Sequence, residues 1–153
     1  MKTHTYRTRL HWTPANGEGT KTYRSYSRDH TIAADGKGEI AASSDPAFRG
    51  DPGRYNPEEL LIASLSSCHM LWYLHLCAVN GINAIDYLDD ASGTMELEGD
   101  GSGQFVGVEL RPLVMIAGDG DRSKALALHE EAHRLRFIAR SVNFPVSVKA
   151  EIF

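Results

Sequence analysis

Cys68 and Cys77 are the only thiols in this chain of 153 residues. A thiolate can attack an electrophile or reduce a peroxide, provided that something nearby stabilises its charge. Cys68 lies in a long apolar stretch: residues 60–85 contain no Asp, Glu, Lys or Arg. Apolar surroundings favour the neutral thiol and an inert packing role. Chemistry at Cys68 therefore requires a cation. On a helix, His69 points about 100° away and His75 lies two turns further along. The helix supplies no cation by this reading, which leaves Arg49 and Arg54 in the preceding loop.

Cys77 follows Cys68 by nine residues, about 13 Å of rise on one helix. A disulfide needs Cα atoms within roughly 7 Å, so the two cannot bridge within that helix. Two cysteines in a chain of this length, with a charged N-terminus that lacks a continuous apolar run, fit a reducing cytoplasm.

A second pattern is His129-Glu130-Glu131-Ala132-His133, which matches H-E-x-x-H on an expected helix. Two histidines at i and i+4 can bind zinc, with Glu130 as general base. A third ligand is lacking, since the only carboxylate after His133 is Glu151, in an expected strand. The preferred reading is a polar surface or interface stripe of His129, His133, Arg136 and Arg140, opposite Leu128, Leu135 and Ile138. No metal and no cofactor is expected.

The elements that must position these residues follow from local signals. Asn56 suits a helix N-cap, Pro57 the first helical position, and Glu58 and Glu59 the positive end of the dipole. Gly81 suits the C-terminal stop, so the first helix is expected over residues 57–80. Its apolar part is long enough to span a bilayer. Ser64, Ser66, Ser67, His69 and His75 are costly in lipid, so a buried or interfacial helix of a soluble protein is preferred. Strands are expected over residues 4–12, 21–27, 31–34 and 39–42. Turns fall at Pro14-Ala15-Asn16-Gly17-Glu18-Gly19 and Asp35-Gly36-Lys37-Gly38, and a loop covers residues 43–55. Two long strands, 82–98 and 104–117, flank a glycine-rich hairpin loop. A second helix starts at residue 121 or 123 and ends at 141, before a closing strand over 146–152. This order makes the class α+β with a mainly antiparallel sheet, in one domain spanning residues 1–153. A net charge of −4 argues against nucleic acid or an anionic membrane as partner.

Asn56-Pro57-Glu58-Glu59-Leu60, followed by Ser66-Ser67-Cys68-His69, resembles the motif of the OsmC/Ohr family of organic-hydroperoxide-reducing proteins. Phe48-Arg49-Gly50-Asp51 and Asn143-Phe144-Pro145-Val146 add to the likeness, which covers nearly the whole chain in element order. The resemblance implies an intertwined homodimer with two long central helices packed against sheets from both chains. It implies a thiol-dependent peroxidase, with Cys68 as peroxidatic cysteine, Arg49 as the arginine (Arg54 or Arg28 being alternatives) and Glu58 as its partner. Leu61, Leu65 and Trp72 would line an apolar substrate pocket. The partners implied are an organic hydroperoxide and an external thiol reductant. The chain departs from the family at the resolving cysteine, whose place in the second helix is taken by Arg136. A one-cysteine peroxidase is then expected, with positive charge from Arg136 able to alter substrate choice. The rival reading is a protein of the same fold that binds an apolar ligand or senses redox state without turnover.

Overall fold

The computed structural model describes residues 1–13 and 17–153, which form two compact units, Met1–Leu60 and Leu61–Phe153. In the first unit, β1 (Arg9–Trp12), β2 (His30–Ala33) and β3 (Ile40–Ala42) make an antiparallel sheet in that order. The expected hairpin turn joins β2 to β3, with Gly36 at φ +75°. Of the turn expected over residues 14–19, residues 14–16 lie outside the described residues.

No strand forms over residues 21–27. Ser25 folds that segment on itself: its hydroxyl accepts from the Thr22 N–H at 3.0 Å and donates to the Gly19 carbonyl at 2.8 Å. Side-chain bonds of this kind compete with a ladder. The Arg28 guanidinium then covers the Tyr26 ring, 3.7 Å from its centroid.

α1 runs Pro57–Val79. Asn56 Oδ1 accepts from the Glu59 N–H at 2.9 Å, and Glu59 Oε1 accepts from the Asn56 N–H at 3.1 Å. Glu59 thus closes a reciprocal cap with Asn56, beyond its favourable charge at the dipole. At the other end Gly81 adopts φ +73°, and the Ile82 N–H reaches back to the Cys77 carbonyl at 2.9 Å. This left-handed exit satisfies orphan carbonyls and seats Ile82 in the core.

In the second unit, two mixed three-stranded sheets accompany α1 and α2 (Arg122–Leu135). One has the order β4 (Ala84–Asp89), β7 (Pro112–Ile116), β9 (Glu151–Ile152). The other has β5 (Ser92–Leu97), β6 (Gly103–Leu110), β8 (Val146–Val148). Each of the two long strands and the closing strand expected from sequence is therefore a pair of shorter strands in different sheets. The breaks fall at Asp90-Ala91, Arg111 and Lys149-Ala150. Asp89 pins the first corner, accepting from the Arg111 N–H at 2.7 Å and from the Ser66 hydroxyl at 2.5 Å. Pro112, without an N–H, opens β7. β8 and β9 pair in parallel with β6 and β7, so the sheets are not antiparallel throughout.

α1 feeds two cores in this unit. Leu65 packs with Val108, Leu110 and Val146, and Tyr73, Leu76 and Cys77 pack with Val114, Ile116, Ala125, Leu128 and Ala132. α2 ends at Leu135, six residues before the expected stop, and a short 3-10 turn follows at Ala139–Ser141. No Gly or Pro marks that end. Arg136 leaves the helix in extended conformation (φ −67°, ψ 136°), and its side chain enters the interior.

Candidate active site

Cys68 sits midway along α1, half-buried, at the wall of a hollow of about 540 Å³. α1 lines it with Ser64, Ser67, Leu71, Trp72 and His75, and the segment after α2 with Phe137 and Ile138. Trp72 meets the Phe137 ring edge-on, with centroids 5.3 Å apart, and also meets His75 at 5.9 Å. Residues 64, 68, 71, 72 and 75 share one side of a helix through i+3 and i+4 spacing. Trp72 was foreseen as a pocket residue. Leu65 is instead fully buried, and Leu61 packs beside it against the β6 core.

Beside Cys68 in sequence, His69 faces inward and begins a buried polar chain. His69 Nε2 lies 3.0 Å from His129 Nδ1. Arg136 Nη1 donates to His69 Nδ1 at 3.4 Å, and Nη2 donates to His133 Nδ1 at 2.5 Å and to the Val146 carbonyl at 2.9 Å. With Arg136 as donor, His69 must accept at Nδ1 and donate from Nε2. His129 Nε2 then carries a hydrogen with no acceptor, and it is buried. The His129 ring also stacks on Tyr73, with centroids 3.8 Å apart, and Tyr73 donates its hydroxyl to the Ala125 carbonyl at 2.8 Å.

Burial, and then the charges of His129, Arg136 and His133, push His69 down to about 3. Burial pushes His129 down to about 4. Both rings are neutral at pH 7. Burial lowers Arg136 from its ordinary value while the charge of Cys68 opposes that shift. An arginine stays protonated even so.

The expected surface or interface stripe of His129, His133, Arg136 and Arg140 is therefore corrected in part. His129 and Arg136 are interior, while His133 and Arg140 are exposed. His129 and His133 direct Nδ1 to His69 and Arg136 respectively, so the H-E-x-x-H pattern serves the hydrogen-bond chain. Sequence reasoning missed His69 and Arg136 as one cluster. The one hint was a histidine next to the thiol in an otherwise uncharged helix.

The remaining expected site residues belong to the first unit. Arg49 is exposed and ends a 3-10 turn, Pro46–Phe48, in left-handed conformation (φ +65°). Glu58 stands in the first turn of α1, and its Oε2 is buried with no hydrogen-bond partner. Among the described residues no ion pair joins Glu58 to Arg49. Arg54 is occupied by Asp29 at 3.4 Å, Asp51 at 3.8 Å and the His30 carbonyl at 3.2 Å. Arg28 is held over Tyr23 and Tyr26 and donates to both their carbonyls.

A family model described as OsmC-like protein matches residues 50–151. The chain belongs to the OsmC-like family. Its fold agrees. An OsmC-like protein of unknown function from Vibrio cholerae is 32% identical, covers 99% of this chain and 100% of its own, and superposes with a TM-score of 0.84. An organic hydroperoxide resistance protein OsmC from Legionella pneumophila is 20% identical over 99% of this chain and 98% of its own, with a TM-score of 0.70. The organic hydroperoxide resistance protein OhrB of Bacillus subtilis is 22% identical over 98% of both chains, with a TM-score of 0.64. These last two share the OsmC-like fold with this chain. No curated protein matches it.

Proposed function

We propose that this OsmC-like protein is a thiol-dependent peroxidase of the one-cysteine type, reducing organic hydroperoxides at Cys68. The observation that carries this reading is the placement of Cys68, half-buried, in an apolar hollow walled by Leu71, Trp72, Phe137 and Ile138. Such a hollow accepts an alkyl chain and brings its terminal peroxide to the thiol. The Cys68 thiolate attacks the distal peroxide oxygen, an S–O bond forms and the O–O bond breaks. The alkoxide leaves and takes a proton as the alcohol, and Cys68 becomes a sulfenic acid. In this reading Arg49 stabilises charge on the leaving oxygen and Glu58 orients Arg49. The buried, unpartnered Glu58 Oε2 suits that task, because a lone carboxylate oxygen favours a cation beside it.

Cys77 is fully buried in the other core of the second unit, and burial pushes its thiol up. Buried in that core, Cys77 is a poor candidate to resolve the sulfenic acid of its own chain or of a partner chain, and in this reading an external thiol does so. The protein works in the cytoplasm, without nucleic acid or membrane, as a homodimer. Support for the dimer comes from Ala63, Ser67, Leu71, His75 and Val79, an uncharged stripe at i+4 spacing on which Leu71 is 60% and Val79 64% exposed.

The test is intact mass after one equivalent of cumene hydroperoxide, with dimedone present to trap sulfenic acid. One adduct mapped to Cys68 is expected, and hydroperoxide consumption should fall by orders of magnitude in Cys68→Ser. No adduct on the folded wild type would sink the peroxidase. An adduct without thiol-driven turnover would make the protein a sensor instead.

A further inference from the structure

Arg136 is 1% exposed and lacks a counter-ion among the described residues. Its acceptors are two imidazoles and one carbonyl. An imidazole is either neutral or cationic, so neither can offset the guanidinium's charge. Its Nε is buried and unpartnered. A buried cation is costly unless an anion answers it. The nearest opening that can admit an anion is the hollow at Cys68. The geometry is this: Arg136 bonds to His69, which follows Cys68 in the chain, and Phe137 and Ile138, next to Arg136 in the chain, line the same hollow as Cys68.

We propose that Arg136 is a positioning residue for anions in the Cys68 hollow. It answers the Cys68 thiolate in the resting protein and the thiolate of an incoming reductant once Cys68 is a sulfenic acid. The second role rests on the peroxidase reading. In that step the reductant's sulfur attacks the Cys68 sulfur, an S–S bond forms and the S–O bond breaks. Hydroxide leaves and takes a proton as water. Over this step and the next, the Cys68 sulfur is reduced by two electrons and two reductant thiols are oxidised to one disulfide. A second thiol then displaces Cys68, which returns as a thiolate. The substrate class assigned to this step is a small thiol carrying an extra carboxylate.

The test compares alkylation of Cys68, mapped by mass spectrometry, by anionic iodoacetate and neutral iodoacetamide. The iodoacetate-to-iodoacetamide rate ratio on the folded wild type should exceed that on the urea-unfolded chain by about tenfold. It should collapse in Arg136→Met and be restored in Arg136→Lys. An unchanged ratio in a folded Met variant overturns the proposal. So does a folded wild type no different from the unfolded chain, which decides the matter even if the Met variant does not fold. Peroxide-oxidised wild type should be reduced faster by mercaptoacetate than by cysteamine, and the reverse order overturns the second role. If the alkylation ratio behaves as expected but no sulfenic acid forms, the resting role stands and the peroxidase reading is what fails.

Discussion

At the scale of single residues, a half-buried thiol is followed in the chain by a buried histidine that bonds to a fully buried arginine and a second buried histidine. The histidines give the protein a directional response to acid. His69 and His129 have ordinary values near 6.5 and folded values of about 3 and about 4. Between those limits the unfolded chain binds more protons than the folded one, so stability rises with pH and is lost on acidification. Each ring contributes on the order of 1.4 kcal/mol per pH unit within its window. Urea midpoints should therefore decline from about pH 6.5 downwards, with a shallower slope in His129→Gln. Equal slopes for the two proteins would show that His129 does not carry this linkage. Cys68 was legible as the candidate nucleophile from its motif. The interior placement of Arg136 was not, because an uninterrupted helix phase put it on the polar face with Arg140. Only the tertiary bonds to His69, His133 and Val146 reverse that.

At the scale of elements, α1 was readable almost to the residue because Asn56, Pro57 and Gly81 are local signals with local causes. Replacing Asn56 with Ala should cost about 1 kcal/mol, the usual worth of a side-chain N-cap. Gly81→Ala forces a Cβ into left-handed backbone at φ +73° and should also cost about 1 kcal/mol. Gly93 presents a different case. A Cβ there would stand 2.8 Å from Ile62 Cδ1 and from Phe105 Cε1. Gly93→Ala should destabilise by about 1–3 kcal/mol through overpacking, read as a lower midpoint in chemical denaturation. The strands were harder to read than the helix. Their hydrophobic alternation runs on through residues 90–91, 111 and 149–150, where the chain changes sheets, and only pairing partners distant in sequence reveal the break. The early end of α2 escaped for the same reason.

At the scale of the whole molecule, the element order and the α+β class were accessible because strand and helix periods differ. Which strands share a sheet was not, since that depends on pairings such as Val108 with Val146. The proposed homodimer makes a prediction here. A charge in the middle of the uncharged α1 stripe, as in Leu71→Glu, should shift sedimentation from two copies to one. A wild type that already sediments as a single copy would remove the dimer. The short parallel strands β8 and β9 carry a consequence for synthesis. Each lies at the edge of one sheet of the second unit and comes from residues 146–152. Until those residues leave the ribosome, β6 and β7 present unpaired backbone along one side. The nascent chain therefore holds two unfinished sheets at once, and one late stretch of seven residues completes both. Damage or stalling in that stretch would expose two adhesive edges together, the state in which a chaperone or a protease would first encounter this protein.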